Sequence, residues 1–489
     1  MDRLARVVAR NSAFGAGAQI IIKILSFLFT VLIVRNLGAE DFGQYAAVLA
    51  FGALFVFFAD LGLSPYTVRE VARLRDAPDG AAQIAALYGD VLRIRFILSI
   101  VTALLLIGTA WITGRPAVMV GAIALGTLGL IMYSLHGTSD SLLAGYERLD
   151  ISAAARVVYQ FCFVGAGALV LWLGLGYYGL IGANLLGIAL MTTVCYTGAR
   201  RLGLRIGAVN RTRWLRLLRA SMPFGIIGFT LGLSYKFDTV LLNIFRSDVE
   251  TGHYAAAYNL IFSMVLISNI LNTALFPTLT RQAASDASVL PAVYGRALRY
   301  LLVLSLPIAI GGAALAHQII PFLFGEGYAG GITALRLLIW VLPLMFITEF
   351  LGYIVVIAGR EARVARAVVL STSINVVFNI AAVPFFGIAG AAITTVITEL
   401  ILTGQYLWML RDTLRDLPWV QIAVRPGLAA LLMGGVVLLA SPWLPLLANI
   451  ALGGVVYGLL VLGMGILSRD ELRFIRSLRQ RPPVAREAA

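Results

Sequence analysis

Hydrophobic positions in this chain gather in long unbroken runs instead of alternating with polar ones or marking one face of a helix. The runs fall near 12–34, 43–65, 93–113, 117–138, 155–175, 177–198, 220–244, 253–278, 297–319, 332–357, 364–385, 388–409, 425–441 and 446–467. A helix needs about 20 apolar residues to cross the ~30 Å hydrocarbon core of a bilayer, and 425–441 sits at the lower limit. A membrane barrel would show alternating segments of about ten residues, a pattern these runs do not have. The pattern predicts an all-α polytopic membrane protein of about 14 transmembrane helices.

Composition agrees. Of the 489 residues 60% are hydrophobic and 13% charged, with a mean hydropathy of +0.91; soluble domains carry about 25% charge. That excludes a soluble enzyme, a disordered chain and, with two cysteines, a disulfide scaffold. Cys162 and Cys195 fall inside predicted spans and read as small packing residues, with no metal site expected. The net charge of +14 would suit nucleic acid only if a solvated basic domain existed, and none does. It acts instead as a topology signal. With the N-terminus and every second connection on the cytoplasmic side, 32 of the 38 Lys and Arg fall there. The opposite connections hold only Arg35, Arg115 and Arg246, while Lys23, Lys236 and Arg336 lie within spans. A miscounted span would reverse this asymmetry downstream, so both termini are expected in the cytoplasm. The first run is too long for a signal-peptide core and leads straight into the second.

The chain also repeats itself. Phe14-Gly15 recurs as Phe224-Gly225, Gly43-Gln44-Tyr45-Ala46-Ala47 as Gly252-His253-Tyr254-Ala255-Ala256, and Gly179-Leu180-Ile181-Gly182-Ala183 as Gly387-Ile388-Ala389-Gly390-Ala391, at offsets of 210, 209 and 208. Near-constant spacing marks a duplicated six-helix unit. Six crossings are even, so the copies are parallel, an arrangement in which transporters place the substrate path between two lobes. The expected organisation is an N-lobe over 1–198, a basic cytoplasmic linker over 199–219, a C-lobe over 220–410, an appended helix pair over 411–467 and a basic cytoplasmic tail over 468–489. The linker, with Trp214, Leu215, Leu217 and Leu218 among its arginines, has the makings of an amphipathic helix on the anionic inner leaflet. Outward connections of about ten residues at most leave no room for a catalytic domain. No Gly-Lys-Ser phosphate loop, HExxH or cysteine cluster occurs, so no catalytic residue, cofactor or metal is expected.

Arg35-Asn36-Leu37-Gly38 through Phe42-Gly43-Gln44-Tyr45, then Asp60-Leu61-Gly62-Leu63 and Arg69-Glu70, resemble the N-terminal signature of bacterial oligosaccharide repeat-unit flippases. These form the polysaccharide-transport branch of the multidrug/oligosaccharidyl-lipid/polysaccharide exporter superfamily. Leu323-Phe324-Gly325 before Tyr328, and Pro384 before Gly387, match later features, and the similarity spans roughly 1–410. The resemblance implies a MATE-like pair of lobes in the bacterial inner membrane. It also implies alternating access, with a polyprenyl-pyrophosphate-linked oligosaccharide moved from the inner to the outer leaflet for O-antigen or exopolysaccharide assembly. Polysaccharide polymerase or assembly proteins are the implied partners, and nucleic acid is not. The two extra helices also occur in the family's peptidoglycan-precursor flippases.

A charge at a helix centre costs at least ~2.5–3.5 kcal/mol and so asks for a reason. Lys23 lies midway along the first span, and Lys236 and Asp238 in its repeat counterpart, the seventh. Facing a cavity, the lysines would hold an anionic head group; otherwise Lys236 pairs with Asp238, and Lys23 snorkels or finds a carboxylate. Asp60, Arg69 and Arg73 are candidates for a cytoplasmic gate, with Asp60 pairing to either arginine or touching substrate. Arg35 and Arg246 occupy matching outer span ends, where snorkelling competes with an outer gate. Glu349 and Glu399 are candidates to carry a coupling H+ or Na+, against structural pairing with a neighbouring helix. His136, His253 and His317 sit near span ends and read as interface residues. A drug or cation antiporter would want a carboxylate-lined N-lobe cavity where this chain has Lys23. A non-transporting scaffold of a polysaccharide assembly complex would have no use for buried charge.

Overall fold

The computed structural model describes the backbone of residues 2–285 and 290–466, with the side chains of 22–226, 228–230, 232–272 and 290–466. The basic tail over 468–489, and the side chains of Arg3, Arg6, Arg10 and Arg281, lie outside the described residues. Within them the chain is helical nearly throughout: α1 (Asp2–Asp60), α2 (Leu63–Leu74), α3 (Gly80–Ile112), α4 (Ala117–Gly145), α5 (Leu149–Trp172), α6 (Gly176–Arg201), α7 (Trp214–Phe245) and α8 (Asp248–Ser285). There follow α9 (Leu290–Ala314), α10 (Ala316–Phe324), α11 (Gly331–Leu338), α12 (Val341–Ile357), α13 (Glu361–Met409), the single turn α14 (Arg411–Leu414), α15 (Arg425–Ala440) and α16 (Leu446–Gly463).

Among the described residues, eleven helical stretches are long and apolar enough to cross a membrane. The bent α7 makes twelve if its two segments, which meet at 50°, count as one span. This is fewer than the fourteen apolar runs because two pairs of runs continue through their connection as one helix. Runs 12–34 and 43–65 lie in α1, and runs 364–385 and 388–409 in the 49-residue α13. Each long helix is broken by a glycine with non-helical torsions, Gly38 (φ 75°, ψ 172°) in α1 and Gly387 (φ 52°, ψ −130°) in α13. A side chain at positive φ would clash with its own backbone, so glycine is the residue that turns the chain there without strain. The short run at 425–441 gains a preceding π-helical turn, Val420–Val424, which lengthens the crossing to 21 residues.

Apolar surface points outward to a degree no aqueous fold tolerates. Trp172, Trp443, Ile112, Phe385 and Leu439 are all more than three-quarters exposed. Aromatic residues near helix ends are the mark of the bilayer interface. Polar side chains turn inward: Asp90, Arg95, Asp238, Asn243, Asn272, Asn379 and Asn449 are all buried. The principal buried cluster draws on both repeats, with Phe29, Tyr45 and Leu180 from the first and Tyr254, Phe346 and Ala391 from the second. α1 packs on α7 and α8. α15 and α16 dock on α9 and α10: Tyr457 donates to the Val303 carbonyl of α9 at 2.9 Å, and Gln318 of α10 donates to the Ser441 carbonyl at 2.7 Å.

In the connection after α6, Trp214, Leu215, Leu217 and Leu218 open α7, while the stretch before them is not α-helical. Residues 204–210 have no regular structure, Arg211–Arg213 form one 3₁₀ turn, and helix resumes only at Trp214 as α7. Asp90, buried on α3, provides the reason. Its carboxylate accepts from Asn210 N at 2.8 Å and Trp214 Nε1 at 3.2 Å, and pairs with Arg213 at 3.0 Å. Gly207 N also donates to the Ala85 carbonyl at 2.8 Å. Anchored to α3, the connection spends its polar groups on the protein rather than on a helix of its own. Asp90→Ala is expected to release it, seen as several-fold faster proteolytic nicking between Gly203 and Asn210. Nicking at the wild-type rate would mean that Asp90 does not hold the connection.

Candidate functional site

The closest backbone approaches between the repeats fall at glycines, at two levels of the bundle. At the end carrying Arg35 and Arg246, residues equivalent in the repeat meet each other. A Cβ on Gly43 would stand 1.8 Å from the Asp248 carbonyl oxygen, and one on Gly252 would stand 2.0 Å from the Ala39 carbonyl oxygen. Gly43 and Gly252 are repeat partners at offset 209, and so are Ala39 and Asp248. The contact is therefore reciprocal, as at a two-fold interface, and absence of side chains lets the two backbones touch. Gln44 Nε2 donates to Asp248 Oδ2 at 3.1 Å across the same contact.

Arg35 belongs to this seal. Its Nε donates to the Leu323 carbonyl at 2.7 Å and its Nη2 to that of Phe322, the last turn of α10. A guanidinium suits that place because the final carbonyls of a helix lack partners. Buried Tyr328 donates its hydroxyl to the Val34 carbonyl at 3.0 Å, again from the second repeat to the first. Arg246 stays within its own repeat, pairing with Glu250 at 3.2 Å and reaching the Pro384 carbonyl at 3.4 Å. Of the two matched arginines, only Arg35 ties one repeat to the other.

At the arginine-rich end, the break between α1 and α2 meets the start of α7. Cβ atoms on Gly62 and Gly225 would each collide with the other segment's backbone, at 2.3 Å and 2.8 Å. The Phe57 and Phe229 rings lie 4.6 Å apart, and the Arg69 guanidinium lies 5.3 Å from the Phe224 ring. Arg69 and Arg73 pair with Glu70, at 3.3 and 2.7 Å. Asp60 takes neither arginine. Its partner is Arg95 of α3 at 3.0 Å, with Ser64 bridging them, donating to Asp60 at 2.7 Å and accepting from Arg95 at 3.1 Å. Sequence reading passed over Arg95 by counting it with the connection before its helix. The helix starts earlier, at Gly80, and buries it.

Between these levels, Lys23 is exposed on α1. Half-buried Lys236 places Nζ 5.4 Å from the centre of the Tyr258 ring, a cation–π arrangement worth about 0.5–2 kcal/mol. Asp238 is held from another direction: the Tyr254 hydroxyl and, at 2.7 Å, Thr239 N donate to its carboxylate. Buried Asn375 and Asn379, a helical turn apart on α13, continue the polar seam with a 3.0 Å bond to each other and one of 3.0 Å from Asn375 to Thr398. Asparagines four apart in an apolar run were the signal that sequence reading missed. Glu349 of α12 accepts from Ser268 at 2.7 Å, Asn269 at 3.2 Å and Asn272 at 3.4 Å on α8. Glu399 of α13 lies within reach of the Thr348 hydroxyl, beside Glu349 in sequence. The two carboxylates therefore share one polar region of the second repeat. A separate pocket of about 220 Å³ lies inside the first repeat, lined by Tyr45, Gly52, Thr127, Tyr133, Asn184 and neighbouring apolar residues.

A multi-pass helical fold with repeat-related contacts at two levels and ionisable groups between them is the architecture of a membrane transporter. The chain belongs to the polysaccharide biosynthesis protein family, whose model matches residues 8–282. It is 21% identical over 399 residues, 81% of this chain and 80% of the other, to a probable low-salt glycan biosynthesis flippase, Agl15, of Haloferax volcanii. Its fold is that of the lipid II flippase MurJ in an inward closed conformation, with a TM-score of 0.75 and 14% identity, covering 96% of this chain and all of that one. An inward-facing multidrug resistance MATE transporter of the MOP superfamily shares it at TM-score 0.64 and 15% identity, over 81% of this chain and 96% of that one.

Proposed function

We propose that the protein flips a polyprenyl-pyrophosphate-linked oligosaccharide from the cytoplasmic to the outer leaflet of the bacterial inner membrane, feeding cell-surface polysaccharide assembly. The observation that carries this reading is the reciprocal contact of Ala39 and Gly43 with Asp248 and Gly252. A path between two lobes must close and reopen, and a backbone contact between equivalent residues suits that task.

On this reading α1 and α13 each make two crossings, breaking at Gly38 and Gly387. The crossings then number fourteen, as two parallel lobes of six (1–198 and 220–410) and the appended pair over 411–467. Both termini face the cytoplasm, in keeping with the arginine distribution. The Gly43–Gly252 level is then the outer gate, with Arg35 as its strap, and the Gly62–Gly225 level is the cytoplasmic gate, buttressed by Asp60 and Arg95 and covered by Arg69. Lys23 and Lys236 supply positive charge between the gates for the pyrophosphate. A lysine held over a ring instead of in a tight ion pair keeps its charge available to an anion. Glu349 and Glu399 are the groups through which H+ or Na+ would couple to movement.

The test is lipid extraction from a strain lacking the protein, complemented with wild type or Lys23→Ala. Polyprenyl-linked oligosaccharide is quantified by mass spectrometry, together with its accessibility from the outer face of spheroplasts. Inward-facing intermediate is expected to accumulate in the deletion strain, to clear with wild type, and to persist with Lys23→Ala. Normal intermediate levels with altered tolerance to cationic drugs would reject the flippase and favour the antiporter.

A further inference from the structure

We propose that His136, Asp140 and Cys195 form a zinc site that clasps α4 to α6 within the first repeat. His136 and Asp140 are four residues apart on α4 and so share a face, and Cys195 comes from the penultimate turn of α6. One ring nitrogen of His136, one carboxylate oxygen of Asp140 and the Cys195 sulfur all lie within 4.8 Å of one another. Ligand atoms around a tetrahedral zinc, with bonds of about 2.0–2.3 Å, sit roughly 3.3–3.8 Å apart. Binding therefore asks for rotamer adjustments of about 1 Å, not a rearrangement of helices.

A second feature points to a missing ligand. His136 is 5% exposed and Cys195 fully buried, yet His136 Nδ1 has no hydrogen-bond partner. The Cys195 thiol has only a long 3.9 Å contact with Asp140 Oδ1. An unpartnered buried polar atom costs about 1–3 kcal/mol, and metal binding at this cluster would fix the imidazole as well as recruit the sulfur.

The donor set selects the ion. Imidazole nitrogen, thiolate sulfur and one carboxylate oxygen suit a borderline-soft dication such as Zn2+, whereas Mg2+ and Ca2+ call for oxygen ligands. Three protein ligands leave one position for water. Asp140 and a Cys195 thiolate bring two negative charges. Of the flanking cations, Arg156 lies 4.0 Å from Asp140 and is 54% exposed, so it can swing into solvent. Arg95 lies against Gly137 but is engaged by Asp60 and Ser64. The cluster sits near the ends of α4 and α6, the latter closing with Arg200 and Arg201.

Purified full-length protein in detergent, stripped with chelator, would be titrated with Co2+ as a spectroscopic stand-in and separately assayed for zinc by mass spectrometry. About one ion per chain is expected, with a thiolate-to-cobalt charge-transfer band in the near ultraviolet. Cys195→Ser and Cys195→Ala should remove the band, and His136→Gln and Asp140→Asn should weaken binding by about tenfold or more. Cys162→Ser, on α5, should leave both band and stoichiometry unchanged. Thermal unfolding of each variant separates lost binding from lost fold. A folded wild type without the band, zinc no higher than in folded Cys195→Ser, or a band that survives Cys195→Ala would each overturn the proposal.

Discussion

Gly43→Leu is expected to reach the membrane in normal amounts and to transport at about a tenth of the wild-type rate or less, with Gly252→Leu failing in the same way. The cause is steric. A Cβ at Gly43 would stand 1.8 Å from the Asp248 carbonyl oxygen and 2.9 Å from Gly252 N, and one at Gly252 would stand 2.0 Å from the Ala39 carbonyl oxygen. Backbone atoms cannot turn aside as a side chain does, so the closed contact has to separate. Overpacking of this kind costs about 1–3 kcal/mol, and 1.4 kcal/mol displaces an equilibrium tenfold. The contact joins the two repeats and builds neither one's own helix pairs, so the cost is expected to fall on closure. A cysteine at Val34, fully buried beneath Tyr328, reports the change in a background without Cys162 and Cys195. An impermeant maleimide should label it slowly in the parent and much faster with Gly43→Leu. Normal transport and unchanged labelling in both variants would remove this contact from the transport cycle.

The second large effect concerns Asp60 and Arg95, and its mark is asymmetry. Arg95 has 3% of its side chain exposed and Asp60 21%. Asp60→Leu therefore strands a buried guanidinium, and the expected loss of stability is about 3–5 kcal/mol. Arg95→Met leaves a carboxylate that keeps some solvent and both hydrogen bonds from Ser64, so its cost should be clearly smaller. Combining Asp60→Leu with Arg95→Met should recover most of the loss, because removing both charges costs less than abandoning one. Thermal unfolding in detergent measures all three. A double variant no more stable than Asp60→Leu alone would show that the pair is not coupled.

The transmembrane class, the approximate crossings, the duplication and the asymmetry of positive charge could all be read along the chain. Each depends on local composition or spacing: a run of about 20 apolar residues has no other stable home, and duplicated helices keep their spacing. The charges within apolar runs, Lys236, Asp238, Glu349 and Glu399, stood out for the same reason, since such a charge is visible without knowing its surroundings. Partners are another matter. Asp60 takes Arg95, 35 residues away, instead of Arg69 or Arg73, which lie nearer and are drawn to Glu70. Arg35 finds carbonyls nearly 300 residues on, and His136 and Asp140 meet Cys195 across two helices. The irregular stretch of the connection after α6 is held by Asp90, some 120 residues earlier, which accepts from its backbone. Periodicity sets which face of a helix is apolar, but which helix lies against that face follows from packing the whole bundle. Long-range pairings of ionic and hydrogen-bonding groups are therefore decided by the tertiary structure alone, whereas the placing of each segment in the bilayer is a property of that segment's own residues.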